Sequence, residues 1–188
     1  MRIAIYGGSF NPPHLGHALV AAWVVWTGRA DQVWLVPVGG HAFGKAQAPF
    51  ARRARWCSLL AETVSEHVRV ETIEETLPKP SYTLNTLRAL QERHPEHSFR
   101  LLLGADNLPD LPRWHRWEEI ARDFEPLVVG RVGYASPPDV PAFPGISSTD
   151  VRARLVEGRA ADALVPKAVL DDVGPDDLVW WAPAQADQ

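Results

Sequence analysis

Cysteine is almost absent from this chain of 188 residues, and the single Cys57 excludes an internal disulfide framework. Set in an apolar helical context, that thiol reads as a small buried hydrophobe of a protein kept in a reducing cytoplasm. Charge of one sign is also in short supply. Lys and Arg number 19 against 23 Asp and Glu, a formal net charge of −4 with the basic residues dispersed. That balance argues against duplex nucleic acid or an anionic membrane surface as partner. No apolar run approaches the roughly 20 residues that span a bilayer, and the first residues lack the basic, apolar and small-residue order of a secretory leader. The expectation is a soluble cytoplasmic protein, long enough to bury a sizeable core as one domain over residues 1–188.

What is present is a strong alternation. Strand-like segments at 2–6, 32–37, 68–72, 98–103 and 126–130 are separated by helix-like segments at 15–27, 49–65, 84–93 and 117–122. This βαβα rhythm predicts an α/β, Rossmann-like fold: a mostly parallel sheet, helices on both faces, ligands at the carboxyl ends of the strands. Tyr134 to Pro144 is rich in proline and reads as a surface connection. After it, Ser147-Ser148-Thr149-Asp150 supplies N-cap residues for a helix over 151–158, and Pro166 suits the first turn of a last short helix to about Val173. The tail from Trp180 is expected to fray at its end. The apolar first helix carries Trp23 and Trp26, which read as core or as a contact with a second copy in a homo-oligomer.

The chemistry concentrates in Tyr6-Gly7-Gly8-Ser9-Phe10-Asn11-Pro12-Pro13-His14-Leu15-Gly16-His17. A strand end, a glycine pair and a helix start bring main-chain N–H groups and a positive dipole end to one place, as an anion site requires. His14 and His17, three apart, are expected to share the first turn and donate hydrogen bonds to phosphate oxygens. Metal ligation would need a third ligand that the lone cysteine does not supply, so no metal site is assigned. A second anion site is expected at Ser147, Ser148 and Thr149, where hydroxyls, N–H groups and the dipole open a helix with Arg152 one turn on; a plain capped helix is the alternative.

Taken together, that string resembles the signature loop of the HxGH nucleotidyltransferase superfamily, GG(S/T)FxPxHxGH, and among its members the bacterial nicotinate-nucleotide adenylyltransferases. Three later segments fit in family order: Pro80-Ser81-Tyr82-Thr83-Leu84-Asn85-Thr86-Leu87, Gly104-Ala105-Asp106 running to Trp114-His115-Arg116-Trp117, and Ile146-Ser147-Ser148-Thr149-Asp150-Val151-Arg152.

The resemblance implies ATP-dependent transfer of AMP to nicotinate mononucleotide, giving deamido-NAD and pyrophosphate in NAD biosynthesis. It also implies Mg²⁺ bridging triphosphate oxygens. It assigns catalysis to His14, His17, Lys45 and Arg152. ATP would be held by Gly7, Gly8, Ser9, Phe10, Asn11, His14, Gly16, His17, Gly104, Asp106, Ile146, Ser147, Ser148, Thr149 and Arg152, and the acceptor by Asn11, Lys45, Thr83, Trp114 and Trp117, with ring stacking on Trp117 first. Asp106 reads equally as a ribose or metal-water contact and as a turn cap. Lys45 and His41 sit in Gly39-Gly40-His41-Ala42-Phe43-Gly44-Lys45, where relatives commonly carry Pro-Pro-His-Lys, so this loop departs from the family. Arg52, Arg53 and Arg55 open the next helix; at least two are expected to be solvated or salt-bridged. Rival acceptors are nicotinamide mononucleotide and phosphopantetheine, and the rival class is a nucleotide-binding regulator without turnover.

Overall fold

The computed structural model describes residues 1–39 and 47–182. Six strands form one ladder, β1 (Arg2–Gly8), β2 (Gln32–Pro37), β3 (Val68–Val70), β4 (Ser98–Gly104), β5 (Leu127–Arg131) and β6 (Ala142–Phe143), in the order β3-β2-β1-β4-β5-β6 with every neighbouring pair parallel. Helices α1 (Leu15–Trp26), α2 (Phe50–Val64), α3 (Thr83–Arg93), α4 (Trp117–Asp123), α5 (Ser148–Val156), α6 (Lys167–Asp172) and α7 (Pro175–Leu178) connect or follow them. The expected doubly wound α/β fold is therefore present.

The central strands β1, β2 and β4 are apolar through most of their length because both faces are covered, with Arg2, Gln32, Ser98 and Arg100 confined to their amino-terminal halves. In β1, Ala4 joins one core while Ile3 and Ile5 join the other; β2 divides Val33 and Leu35 from Trp34 and Val36 in the same way, and β4 divides Leu102 from Leu101 and Leu103. Side-chain alternation along a strand sorts these residues without further instruction. The first core receives Val20, Ala21 and Val24 of α1, Trp56, Cys57 and Leu60 of α2, Val151 of α5 and Val169 of α6. The second receives Leu84, Leu87 and Leu90 of α3 and Ile120 of α4. Cys57 is fully buried, and burial pushes its thiol pKa up, as an inert core residue requires.

Several boundaries differ from the sequence expectation. β1 runs through Gly7 and Gly8, both of which pair with β2, so the irregular loop begins at Ser9. The proline-rich segment read as a surface connection contains β6, whose Ala142 and Phe143 lie opposite Gly130 and Arg131. Two residues offer no periodicity to detect, and the pairing depends on Gly130, where a Cβ would meet the Pro141 carbonyl oxygen at 2.5 Å. Ala105–Arg113 is a 3₁₀ segment instead of a simple turn, and α7 had no expectation at all. Near the chain end, Trp181 packs on Trp56 with ring centroids 5.6 Å apart; residues 183–188, where fraying was expected, lie outside the described residues.

The three arginines that open α2 divide by role. Arg52 and Arg55 form ion pairs with Asp172, and Arg52 also with Asp177, joining α2 to α6 and α7 as salt-bridged residues should. Arg53 is 2% exposed and donates to three carbonyls: Ala48 at 3.0 Å, Ser9 at 2.9 Å and Val38 at 2.8 Å. Burial lowers its pKa, yet a guanidinium stays charged. Replacing Arg53 with Met should strand those carbonyls and lower stability by about 3 kcal/mol or more in urea unfolding. A loss under about 1 kcal/mol would show that water reaches them instead.

Candidate active site

The strand order reverses between β1 and β4, and a crevice opens at the carboxyl ends where the flanking connections part to opposite faces. Two adjoining cavities occupy it, of about 780 Å³ and 240 Å³. Ser9, His14, His17 and Arg131 line both, forming the seam between them. The larger also takes in Gly7, Gly8, Gly16, Gly104, Asp106 and Ile146; the smaller takes in Phe10, Asn11, Ser147, Ser148, Thr149 and Arg152. Every residue expected at ATP thus borders one cavity or the other.

The histidine pair meets at the opening turn of α1, one residue at the cap and one at the third helical position. His14 is the N-cap of α1, with φ −142° and ψ 173°, and its backbone N–H donates to Nδ1 of His17 at 3.1 Å. The two rings stack with centroids 3.8 Å apart. Because Nδ1 of His17 accepts, the neutral ring must carry its proton on Nε2, which makes that N–H the donor offered by the ring. Burial lowers the His14 pKa to about 4, helped by the nearby Arg131 charge; burial also holds His17 well below its ordinary value, with His14 and Arg131 adding to it. Both imidazoles are therefore neutral donors near pH 7. Gly16 belongs to the same packing, since a Cβ there would stand 3.0 Å from Nδ1 of His14 and displace the ring.

The loop between β1 and α1 is held from outside. Phe10 has φ +47°, a left-handed conformation that costs a non-glycine residue of order 1 kcal/mol or more, and its ring is 1% exposed against Tyr6 and His17. Asn11 accepts from Arg152 through its main-chain oxygen at 2.8 Å, and from Ala48 N–H at 3.2 Å and Trp181 Nε1 at 3.0 Å through Oδ1. Ser148 Oγ donates to the Pro12 carbonyl at 2.8 Å. These bonds pin the start of α5 to the start of α1.

One expectation about α5 is corrected by this network. Its hydroxyls do not all face the cavity as free donors: Ser147 caps its own helix by accepting from Asp150 N–H at 3.1 Å, and Ser148 spends its hydrogen on Pro12. Ser147 keeps a hydroxyl hydrogen, and of the first-turn N–H groups that of Asp150 is taken while those of Ser148 and Thr149 remain as anion donors. Arg152 reaches Thr149 Oγ1 at 3.2 Å with its second nitrogen.

On the other side of the seam, Thr83 and Trp114 line the large cavity, with Tyr82 stacked on His115 at 4.4 Å between centroids. Trp117 borders neither cavity; it sits edge-on to Trp114, 6.0 Å between centroids, as part of the second core. The indole positioned to meet a planar ligand is thus Trp114, because Arg116 adopts a left-handed turn before α4 and carries Trp117 into the helix. Arg116 itself is paired with Glu119. Lys45 and His41 lie outside the described residues.

Sequence reasoning missed two charged residues here. Arg131 ends β5 and bonds Asp106 at 2.7 Å. Glu74 is 4% exposed and borders the large cavity; it accepts from Gly39 N–H at 3.0 Å, from Thr86 Oγ1 at 2.5 Å and from the Ser81 hydroxyl. The only signal for Arg131 was its place at the carboxyl end of an apolar strand; Glu74 stands among other glutamates, and nothing in its spacing sets it apart.

Comparison with known proteins identifies the family and the fold. Residues 5–154 match the family model described as cytidylyltransferase-like. A protein of Anaeromyxobacter sp. (strain K), named "Probable nicotinate-nucleotide adenylyltransferase", is 42% identical over 172 residues, covering 90% of this chain and 91% of its own. One of the same name from Myxococcus xanthus (strain DK1622) is 39% identical over 170 residues, 88% of each chain. Among solved structures, the Plasmodium falciparum nicotinic acid mononucleotide adenylyltransferase complexed with NaAD superposes with TM-score 0.74, covering 90% of this chain and 93% of its own. At 19% identity, that likeness is one of fold.

The low basicity of the imidazoles has a measurable consequence for stability. Between pH 6.5 and about 4 the unfolded chain protonates His14 while the folded ring stays neutral, so stability falls as pH drops through that window and is unaffected above it. His14 should contribute about 3 kcal/mol of this loss. Urea unfolding of wild type and His14→Asn at several pH values should show the two converging as pH falls from 6.5 to 4; a pH-independent difference would contradict the burial.

Proposed function

The chain belongs to the cytidylyltransferase-like family and, within it, to the nicotinate-nucleotide adenylyltransferases, and from that membership and the site geometry we infer that it transfers AMP from ATP to nicotinate mononucleotide, releasing pyrophosphate and deamido-NAD. The observation that carries this reading is the convergence of two helix starts, those of α1 and α5, on one pair of joined cavities. The smaller cavity, with Arg152 and the α5 N–H groups, suits the ATP polyphosphate; the larger, with Thr83 and Trp114, suits the acceptor and its pyridine ring.

The attacking group is a phosphate oxygen that is already an anion, so the reaction needs no base. Neutral His14 and His17 fit that requirement as hydrogen-bond donors that take up no proton from the nucleophile. The rest is alignment of attacking oxygen, phosphorus and leaving pyrophosphate, with charge neutralised along the way. Among the described residues no three His, Cys, Asp or Glu side chains gather to hold a metal ion. Mg²⁺ would come with ATP as part of the substrate, where it would offset polyphosphate charge beside Arg152 and the α5 N–H groups. Lys45 is retained in this reading as a further phosphate cation. No described helix is long and apolar enough to cross a membrane; that the reaction takes place in the cytoplasm is a further part of this proposal.

Purified protein supplied with MgATP and nicotinate mononucleotide should release one pyrophosphate per deamido-NAD formed, faster than with nicotinamide mononucleotide and far faster than with phosphopantetheine. Nucleotide binding without release would favour the regulator instead. His17→Ala should lower kcat by about 10²-fold or more while the protein stays folded, since it removes a donor at the seam. Near-wild-type turnover in that variant would remove His17 from the reaction.

A further inference from the structure

Arg131 stands where the two cavities meet. Of the four residues that border both, it alone carries a permanent charge, because the imidazoles are neutral and Ser9 is uncharged. Its place is fixed at both ends of the fork: Nη1 donates to Asp106 Oδ2 at 2.7 Å, and Nη2 donates to the Ile146 carbonyl at 3.1 Å, one residue before the α5 N-cap. The guanidinium thus spans the ends of β4 and β5 and the entry to α5. Two of its five N–H groups are committed among the described residues, and three remain for an anion. Only part of the residue is covered, with the side chain 30% exposed, so an anion in the seam can reach it.

With polyphosphate in the smaller cavity and acceptor in the larger, the phosphorus that changes partners lies at the seam. There a bond forms from the acceptor phosphate oxygen to the α-phosphorus of ATP, and the bond from that phosphorus to the bridging oxygen breaks; pyrophosphate leaves with the electron pair. No proton is transferred. Charge redistributes over the non-bridging oxygens of the transferred phosphate, where a fixed planar donor with a full positive charge has its greatest effect. Resting on the adenylyl-transfer reading above, we propose that Arg131 is a catalytic residue that donates to those oxygens, and that Asp106 is its positioning residue, holding the guanidinium plane.

The test compares Arg131→Gln, Arg131→Lys, Asp106→Asn and the double variant Arg131→Gln/Asp106→Asn for pyrophosphate release from MgATP and nicotinate mononucleotide, with urea unfolding to confirm folding. Arg131→Gln should lose about 10²-fold in kcat with KM for the acceptor nearly unchanged, and Arg131→Lys, which keeps the charge and loses the fork, about 10-fold. Asp106→Asn should lose kcat with KM preserved, and the double variant should be no worse than Arg131→Gln, because Asp106 acts through Arg131. Nuclear magnetic resonance titration of His14 gives a readout independent of turnover: its midpoint should rise above about 4 in Arg131→Gln as the neighbouring charge is removed. An active wild type with Arg131→Gln within about threefold of its kcat, or losses that multiply in the double variant, would overturn the assignment. A folded wild type that releases no pyrophosphate would overturn the transfer reading beneath it.

Discussion

Everything at this site depends on how the carbonyl groups of one irregular loop are satisfied. Between the end of β1 and the start of α1 the chain has no ladder of its own, yet it must keep a fixed shape, with Phe10 in a left-handed turn and His14 at the helix cap. Donors from distant elements meet that need. Arg53 from α2 takes Ser9, Arg152 and Ser148 from α5 take Asn11 and Pro12, and Trp181 takes the Asn11 side chain. Outward-facing carbonyls are thereby spent on protein partners, and the interior side of the turn is kept for an anion.

Electrostatics follow from that packing. Stacking His14 on His17 beside the rings of Phe10 and Tyr6 removes water from both, and the closeness of Arg131 opposes protonation of either. Neutral imidazoles and a fixed guanidinium thus offer the seam two different things, the first directional donors and the second a charge. A loop with two protonated histidines would bind anions more strongly at rest. It would also repel its own arginine and stabilise substrate as much as transition state.

The fold was legible because it rests on a local signal. Apolar strands alternating with helical segments declare a covered parallel sheet, and the sheet order then puts the crevice where the glycine-rich loop ends. Most residues lining the smaller cavity were legible for a similar reason, since they lie in two continuous strings with helix-capping chemistry. What could not be read was set by contact at long range. β6 exists because Gly130 admits a close strand; Trp114 faces the cavity because Arg116 turns left-handed; Glu74 matters because Gly39, Ser81 and Thr86 converge on it. Arg131 and Arg53 show the same limit from another direction. An arginine at a strand end and one among three at a helix start look ordinary until their carbonyl and carboxylate partners are placed.

The bond from Trp181 to Asn11 joins positions 170 residues apart in the chain. Closing so large a loop is entropically demanding and depends on the intervening sheet and helices being in place. A nascent or clipped polypeptide halted upstream of that indole could assemble the β1–β2–β4 centre and still leave the loop without one of its holders. Catalytic competence is in this way tied to the completion of the fold, and a half-built molecule would be a poor consumer of ATP.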